Sequence, residues 1–192
     1  MRRPLIVLLT LVPLLAFAPQ ERYPHRQCNP RPVADRIVYH YVFSPRNLYL
    51  VISKPDRTLY VYEQRCTGTA LIAAYPVCLG AANGNKECKG DMRTPESVNG
   101  RPFFISEIAD ASTWTHDFGD GRGVMPAYGN WFLRLQGDFV GTGIGIHGST
   151  GNRYSVPGRG SEGCIRLRDE DIVHLKENYA FVGMKVYIEP DR

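Results

Sequence analysis

No run of Lys and Arg and no basic stripe occurs in the chain, although it carries 23 basic against 19 acidic residues. The electrostatic footprint of a nucleic-acid binder is therefore missing. There is no Cys-x-x-Cys and no paired Cys/His ligand spacing, which argues against a structural zinc site. The segment Gly80 to Lys86 looks superficially like a phosphate loop but lacks the Gly-x-x-x-x-Gly-Lys-Ser/Thr spacing. Asp117-Phe118-Gly119-Asp120-Gly121 is too sparse in oxygen ligands for a calcium loop. No internal repeat or low-complexity tract is found. The one sustained apolar stretch, Leu5 to Ala18 with Pro13 inside it, is short for a membrane span.

That stretch is expected to be a secretory leader covering residues 1–18. Arg2 and Arg3 form a positive start, Leu5 to Leu15 an apolar run, and Ala16-Phe17-Ala18 a small-x-small cleavage pattern. Pro19 disfavours a cut directly before it. An uncleaved leader would leave a weak membrane anchor. Removing Arg2 and Arg3 lowers the formal charge from +4 to about +2, so the rest is close to balanced. No Cys follows the apolar run directly, so a lipid anchor is not expected. Export to the periplasm or cell envelope is the expectation. It makes the five Cys informative. In an oxidising compartment an even set tends to pair, and one left over is a reactive-thiol candidate. Cys28, Cys66, Cys78 and Cys88 lie in the N-terminal half, and Cys164 stands alone downstream. The preferred pairing is Cys78 with Cys88 and Cys28 with Cys66. Four Cys allow three pairings, and buried free thiols are the plain alternative.

Abundant Tyr, Gly and Pro favour many short strands and turns over a helical bundle. Residues 19–45 are read as a Pro-rich linker with one possible strand at Ile37 to Phe43. Leu48 to Ser53 and Thr58 to Tyr62, around Pro55-Asp56, read as a β-hairpin. Further strands are expected at Ala70 to Val77, with Pro76 marking a bulge or edge, at Phe103 to Ile108, at Gly141 to His147 and at Met184 to Ile188. Asp169 to Asn178 reads as a short helix with an acidic first turn, burying Ile172, Leu175 and Tyr179. Ala109 to Gly129 is long, polar and Gly-rich, so it is either a lid or disordered. Trp131 and Phe132 either wall a cleft or pack in the core. His25, His40 and His174 lack partner motifs and are read as structural.

The chemistry concentrates in His147-Gly148 and Ser161-Glu162-Gly163-Cys164-Ile165-Arg166. A thiolate is the reactive form of Cys, and a nearby base or positive group favours it. On a strand, positions two apart share a face, so Arg166 falls on the side of Cys164. Gly163 would let a substrate carbonyl approach the backbone, whose N–H groups could hold an oxyanion. Such a set suits acyl transfer through a thioester. The plain alternative is an inert buried Cys beside a structural His.

These motifs, with Tyr75-Pro76-Val77-x-Leu79-Gly80, Gly90-Asp91-x-x-Thr94-Pro95 and Met125-Pro126-x-Tyr128, resemble the L,D-transpeptidase catalytic domain, the YkuD family. The resemblance spans about Leu48 to Ile188. It implies a mainly β fold, a mixed sheet or sandwich with one or few short helices, as the catalytic domain at residues 46–190. It also implies that Cys164 is the nucleophile, with His147 as base and Gly163 beside the sulfur. Arg166, Ser161, Gly148 and Tyr128 would serve the substrate: Arg166 by holding or polarising it, Ser161 by supporting the turn, and the carbonyl of Gly148 or Gly163 by orienting the imidazole. The implied substrates are peptidoglycan stem peptides, joined in 3-3 crosslinks with a role in cell-wall biogenesis and cell shape. No metal or organic cofactor is implied. An L,D-carboxypeptidase or hydrolase, or a non-enzymatic wall-binding protein, are the alternatives. One departure stands out: many members carry a His where this chain has Glu162.

Overall fold

The computed structural model describes residues 37–38, 47–138 and 143–191. The expected leader, Cys28 and most of the expected linker lie outside the described residues. Thirteen strands and one α-helix are described. The strands are β1 (Ile37–Val38), β2 (Leu48–Ser53), β3 (Thr58–Arg65), β4 (Gly68–Pro76), β5 (Cys78–Gly80), β6 (Phe103–Asp110), β7 (Thr115–Asp117) and β8 (Val124–Pro126). They continue with β9 (Trp131–Gln136), β10 (Gly145–His147), β11 (Gly158–Ser161), β12 (Ile165–Arg166) and β13 (Lys185–Glu189), with α1 (Asp169–Asn178) between β12 and β13. The fold is thus mainly β, as expected.

Eleven strands form one mixed sheet in the order β1-β4-β3-β2-β13-β6-β9-β10-β12-β5-β11. The hairpin around Pro55-Asp56 is present, with Leu50 opposite Val61 and Ile52 opposite Leu59. β4 and β5 sit near opposite ends of that order, yet only Val77 separates them in the chain. One residue spans about 3.8 Å, so the two ends of the sheet meet and the sheet wraps round its core. Pro76 sits at this corner and closes β4. The irregularity between β3 and β4 falls instead at Val61/Tyr62.

β2 is buried on both faces, which is why it reads as a continuous apolar run rather than an alternation. Leu48, Leu50 and Ile52 point into the main core with Leu133, Ile146, Ile165 and Val186. Tyr49 and Val51 point the other way and pack with Tyr60, Tyr62 and Ala74. Helix α1 covers the main core through Ile172 and Leu175, with Tyr179 just beyond it. His174 accepts or donates a 2.8 Å hydrogen bond with the Tyr75 hydroxyl, tying the helix to β4.

One expectation is corrected and one open alternative is decided. Cys78 and Cys88 are not paired: Cys78 is buried in β5, between β11 and β12 in the sheet, while Cys88 is exposed in the loop beyond it. Cys66 is also a free, exposed thiol. Ala109 to Gly129 is not disordered. It carries β7 and β8, which pair as a separate two-stranded hairpin with His116 opposite Met125.

Candidate active site

Register builds the site. β10 and β12 run parallel, with Ile146 opposite Ile165 and His147 opposite Arg166. Neighbours in register present side chains to the same face, and alternate residues to opposite faces. Ile146 and Ile165 therefore enter the core. His147 and Arg166 face away from it, and Cys164, two positions before Arg166, shares their cavity. His147 and Arg166 are only 3% and 4% exposed, because the β7–β8 hairpin lies over them. The cavity beside Cys164, His147 and Tyr128 is small, about 30 Å³. Two larger clefts, of about 280 and 480 Å³, do not include Cys164.

The imidazole is clamped. Nδ1 of His147 lies 2.7 Å from the Gly148 carbonyl oxygen. A carbonyl can only accept, so Nδ1 carries the proton and Nε2 keeps a free lone pair. Phe132, opposite His147 on β9, stacks on the ring at 5.5 Å with an interplanar angle of 13°. Tyr128 packs on it at 4.8 Å. Burial, then the Arg166 charge, lowers the His147 pKa to about 3. Burial also pushes the Cys164 thiol up, and the charge of Glu162 adds to this, while a backbone hydrogen bond from Gly145 and the charge of Arg166 act the other way. The resting pair is therefore a neutral thiol and a neutral imidazole.

The turn that carries Cys164 is locked from below. Ser161 Oγ donates to the Cys164 carbonyl at 2.5 Å and accepts from the Gly163 N–H at 3.1 Å. Gly163 has φ of 127°, and a Cβ there would come within 2.7 Å of the Arg93 carbonyl oxygen. Its missing side chain makes room for the chain's own backbone, not for a substrate carbonyl, and its N–H is already engaged. Arg93 belongs to a loop organised by Asp91. Burial works against that carboxylate's charge. Hydrogen bonds from the Lys86 ammonium and from the backbone N–H groups of Cys88, Glu87 and Arg93 outweigh it and hold its pKa well below the usual range. Thr94 Oγ1 accepts from the Gly80 N–H at 2.8 Å, fixing the same loop to β5.

Several contributing residues escaped the sequence reading. Asp169 had been assigned only to the helix start. Its carboxylate accepts from the Ser149 N–H at 2.7 Å and the Thr150 hydroxyl at 2.6 Å, pinning the loop after His147. A Cβ on Gly148 would collide with that carboxylate. Lys54, beside the Pro55-Asp56 turn, is buried and donates to the Thr94 carbonyl, the Gly84 carbonyl and Glu96. The hairpin contributes His116, whose Nε2 lies 3.2 Å from Glu162 Oε2 though out of line for a hydrogen bond. It also contributes Phe118, whose ring lies 5.1 Å from the Arg166 guanidinium carbon. Arg166 donates to the Gly160 carbonyl at 3.3 Å, while its Nε is buried without a hydrogen-bond partner. Trp131 and Phe132 divide: Phe132 walls the site, and Trp131 carries the Lys176 ammonium at 4.1 Å from its ring centre. Among the described residues no three of His, Cys, Asp and Glu converge as a metal-holding group.

His147 and Arg166 on neighbouring parallel strands, with Cys164 just before β12 lining the same cavity, make up a candidate thiol–imidazole site. The chain belongs to the YkuD family: the L,D-transpeptidase catalytic domain matches residues 47–188. It is 25% identical over 139 residues to the probable L,D-transpeptidase ErfK/SrfK of Salmonella typhimurium, covering 72% of this chain and 43% of that protein. Bd1075 of Bdellovibrio bacteriovorus shares the fold with a TM-score of 0.53 at 19% identity, over 75% of this chain and 47% of that one. The helical cell shape determining protein Pgp2 of Campylobacter jejuni does so with a TM-score of 0.51 at 20% identity, over 76% and 48%. The chain thus spans less than half the length of each of these relatives.

Proposed function

We propose that this protein is an exported cysteine acyltransferase acting on peptidoglycan stem peptides and forming 3-3 crosslinks. Residues 46–190 would be its catalytic unit, behind a leader at 1–18 and a linker at 19–45. The observation that carries the reading is the β10–β12 register, which sets His147 and Arg166 on one face with Cys164 in the same cavity. Family membership supports the same chemistry.

The neutral resting pair shapes the mechanism. The Cys164 sulfur attacks the donor carbonyl while its proton passes to Nε2 of His147, so the thiolate exists only along the reaction path. The Gly148 carbonyl holds the ring in the tautomer that accepts it. The imidazolium then returns the proton to the departing D-alanine amine as the C–N bond breaks, leaving a thioester. Arg166 supplies positive charge beside the developing oxyanion, and Tyr128 helps close the site against water. An amine of a second stem peptide resolves the thioester. A part in cell shape would be in keeping with Pgp2, a helical cell shape determining protein of the same fold.

Incubation with a tetrapeptide muropeptide tests the reading. Crosslinked dimer is the expected product, whereas tripeptide alone would assign an L,D-carboxypeptidase. A carbapenem should add its mass to a peptide containing Cys164, and Cys164→Ala should abolish both results. Activity that survives in Cys164→Ala would overturn the proposal.

A further inference from the structure

The residue that departs from the family pattern is also the residue with the least obvious use. Glu162 lies two positions before Cys164 and lines the same cavity. Its side chain is 49% exposed, so it stands at the rim. Its charge bears on both the Cys164 thiol and the Tyr128 hydroxyl, in each case opposing ionisation. A carboxylate at this point hinders formation of the nucleophile. In the resting structure the group facing it is the His116 imidazole on the β7–β8 hairpin. An imidazole is charged only when protonated, and this one is not aligned for a hydrogen bond.

We propose that Glu162 is the docking point for the ammonium group of the acceptor amine, a position that His116 fills while the hairpin is closed. The inference rests on the acyltransferase reading above. His116 and Phe118 of the hairpin line the small cavity beside Cys164, about 30 Å³, and we take the hairpin to lift as the donor enters. Lifting it draws His116 away from Glu162. The carboxylate is then left beside a thioester with no partner on the hairpin. The acceptor is a primary aliphatic amine, which is an ammonium at neutral pH. Binding it at Glu162 places its nitrogen next to the acyl carbon.

The proton count closes. A C–N bond forms and the C–S bond breaks. The ammonium must lose two protons to become an amide N–H. One passes through His147 to the departing Cys164 sulfur, restoring the thiol, and the other leaves to water by way of Glu162. Water carries no charge for the carboxylate to attract, so Glu162 tilts the partition towards transfer and away from hydrolysis.

The experiment uses the full chain acylated by a tetrapeptide donor, with thioester formation on Cys164 followed by intact mass. Glycinamide serves as the cationic acceptor and methoxyamine as one that is uncharged at neutral pH. Glu162→Gln is expected to lower the aminolysis-to-hydrolysis ratio roughly tenfold with glycinamide, the loss of one hydrogen bond to a charged group. The ratio with methoxyamine should hold, and Glu162→Asp should recover part of the loss. His116→Ala, which removes the competitor, should raise the glycinamide ratio. Equal losses with both acceptors, or no loss with either, would overturn the proposal, as would a fall in His116→Ala. A wild-type chain that forms no Cys164 thioester with the donor overturns the acyltransferase reading and this inference together. A thioester without the acceptor pattern overturns this inference alone.

Discussion

His147 is held as a neutral imidazole, and that has a measurable consequence for stability. Its pKa falls from 6.5 in the unfolded chain to about 3 in the fold, through burial first and the Arg166 charge second. Between those values the unfolded chain binds a proton that the native site refuses. The contribution is therefore fully present above pH 6.5 and is lost as pH drops towards about 3, at ~1.4 kcal/mol per pH unit. His147→Gln should flatten the acid limb of a denaturant-derived stability profile by up to one proton's slope. An unchanged slope would mean that the ring is solvated. The same substitution should slow thioester formation by about 10²- to 10⁴-fold, the usual range for a general base. Stopped mass measurements with a carbapenem would read that rate.

The β7–β8 hairpin links the catalytic loop to the rim of the site. Arg122 donates to the Gly151 carbonyl at 2.8 Å and to Asn152 Oδ1 at 2.9 Å, tying the hairpin to the segment that follows His147. Inside the hairpin, His116 and Phe118 pack edge to face at 4.6 Å. Phe118 then meets Arg166, so closing the hairpin covers both the carboxylate and the guanidinium. Arg122→Ala should loosen the cover without weakening the core. The expected outcome is faster amide hydrogen exchange across residues 115–126 and faster alkylation of Cys164 by a bulky maleimide, with the thermal midpoint unchanged. A drop in the midpoint with no change in exchange would place Arg122 in global stability instead.

Across the whole molecule, β13 completes the sheet by inserting between β2, which it meets in parallel, and β6, which it meets antiparallel. Lys54 lies at the end of this central seam. Its ammonium contacts Glu96 at 2.7 Å and Asp191 at 3.7 Å, with no exposure of its own. Burial lowers the Lys54 pKa, and the two carboxylates oppose that shift. Truncating one member of a buried pair leaves the other charge uncompensated. Lys54→Met should therefore cost about 3 kcal/mol, or roughly 10 °C of thermal midpoint in a domain of this size. A midpoint within the error of wild type would show that Glu96 and Asp191 are satisfied by water instead.

β-rich apolar runs, turn chemistry and helix period made β2, β3, β4, β6, α1 and β13 legible from the amino-acid order, because these are local properties. The short site strands β10 and β12 carry too few residues to show a period. His147 was readable only as a motif residue, and Cys164 by motif and by cysteine parity. Cysteine parity singled out Cys164, which is free, but misled on Cys78 and Cys88, because Cys78 is spent on packing inside the sheet and not on a crosslink. By itself the sequence determined the residue types of the site, the mainly β class and the family. The tertiary structure decided what those residues face. It set Arg93 against Gly163, Asp169 beneath the His147 loop, Lys54 in the seam and His116 opposite Glu162. Each of these pairs joins segments far apart in the chain, and the contact exists only once the sheet has wrapped.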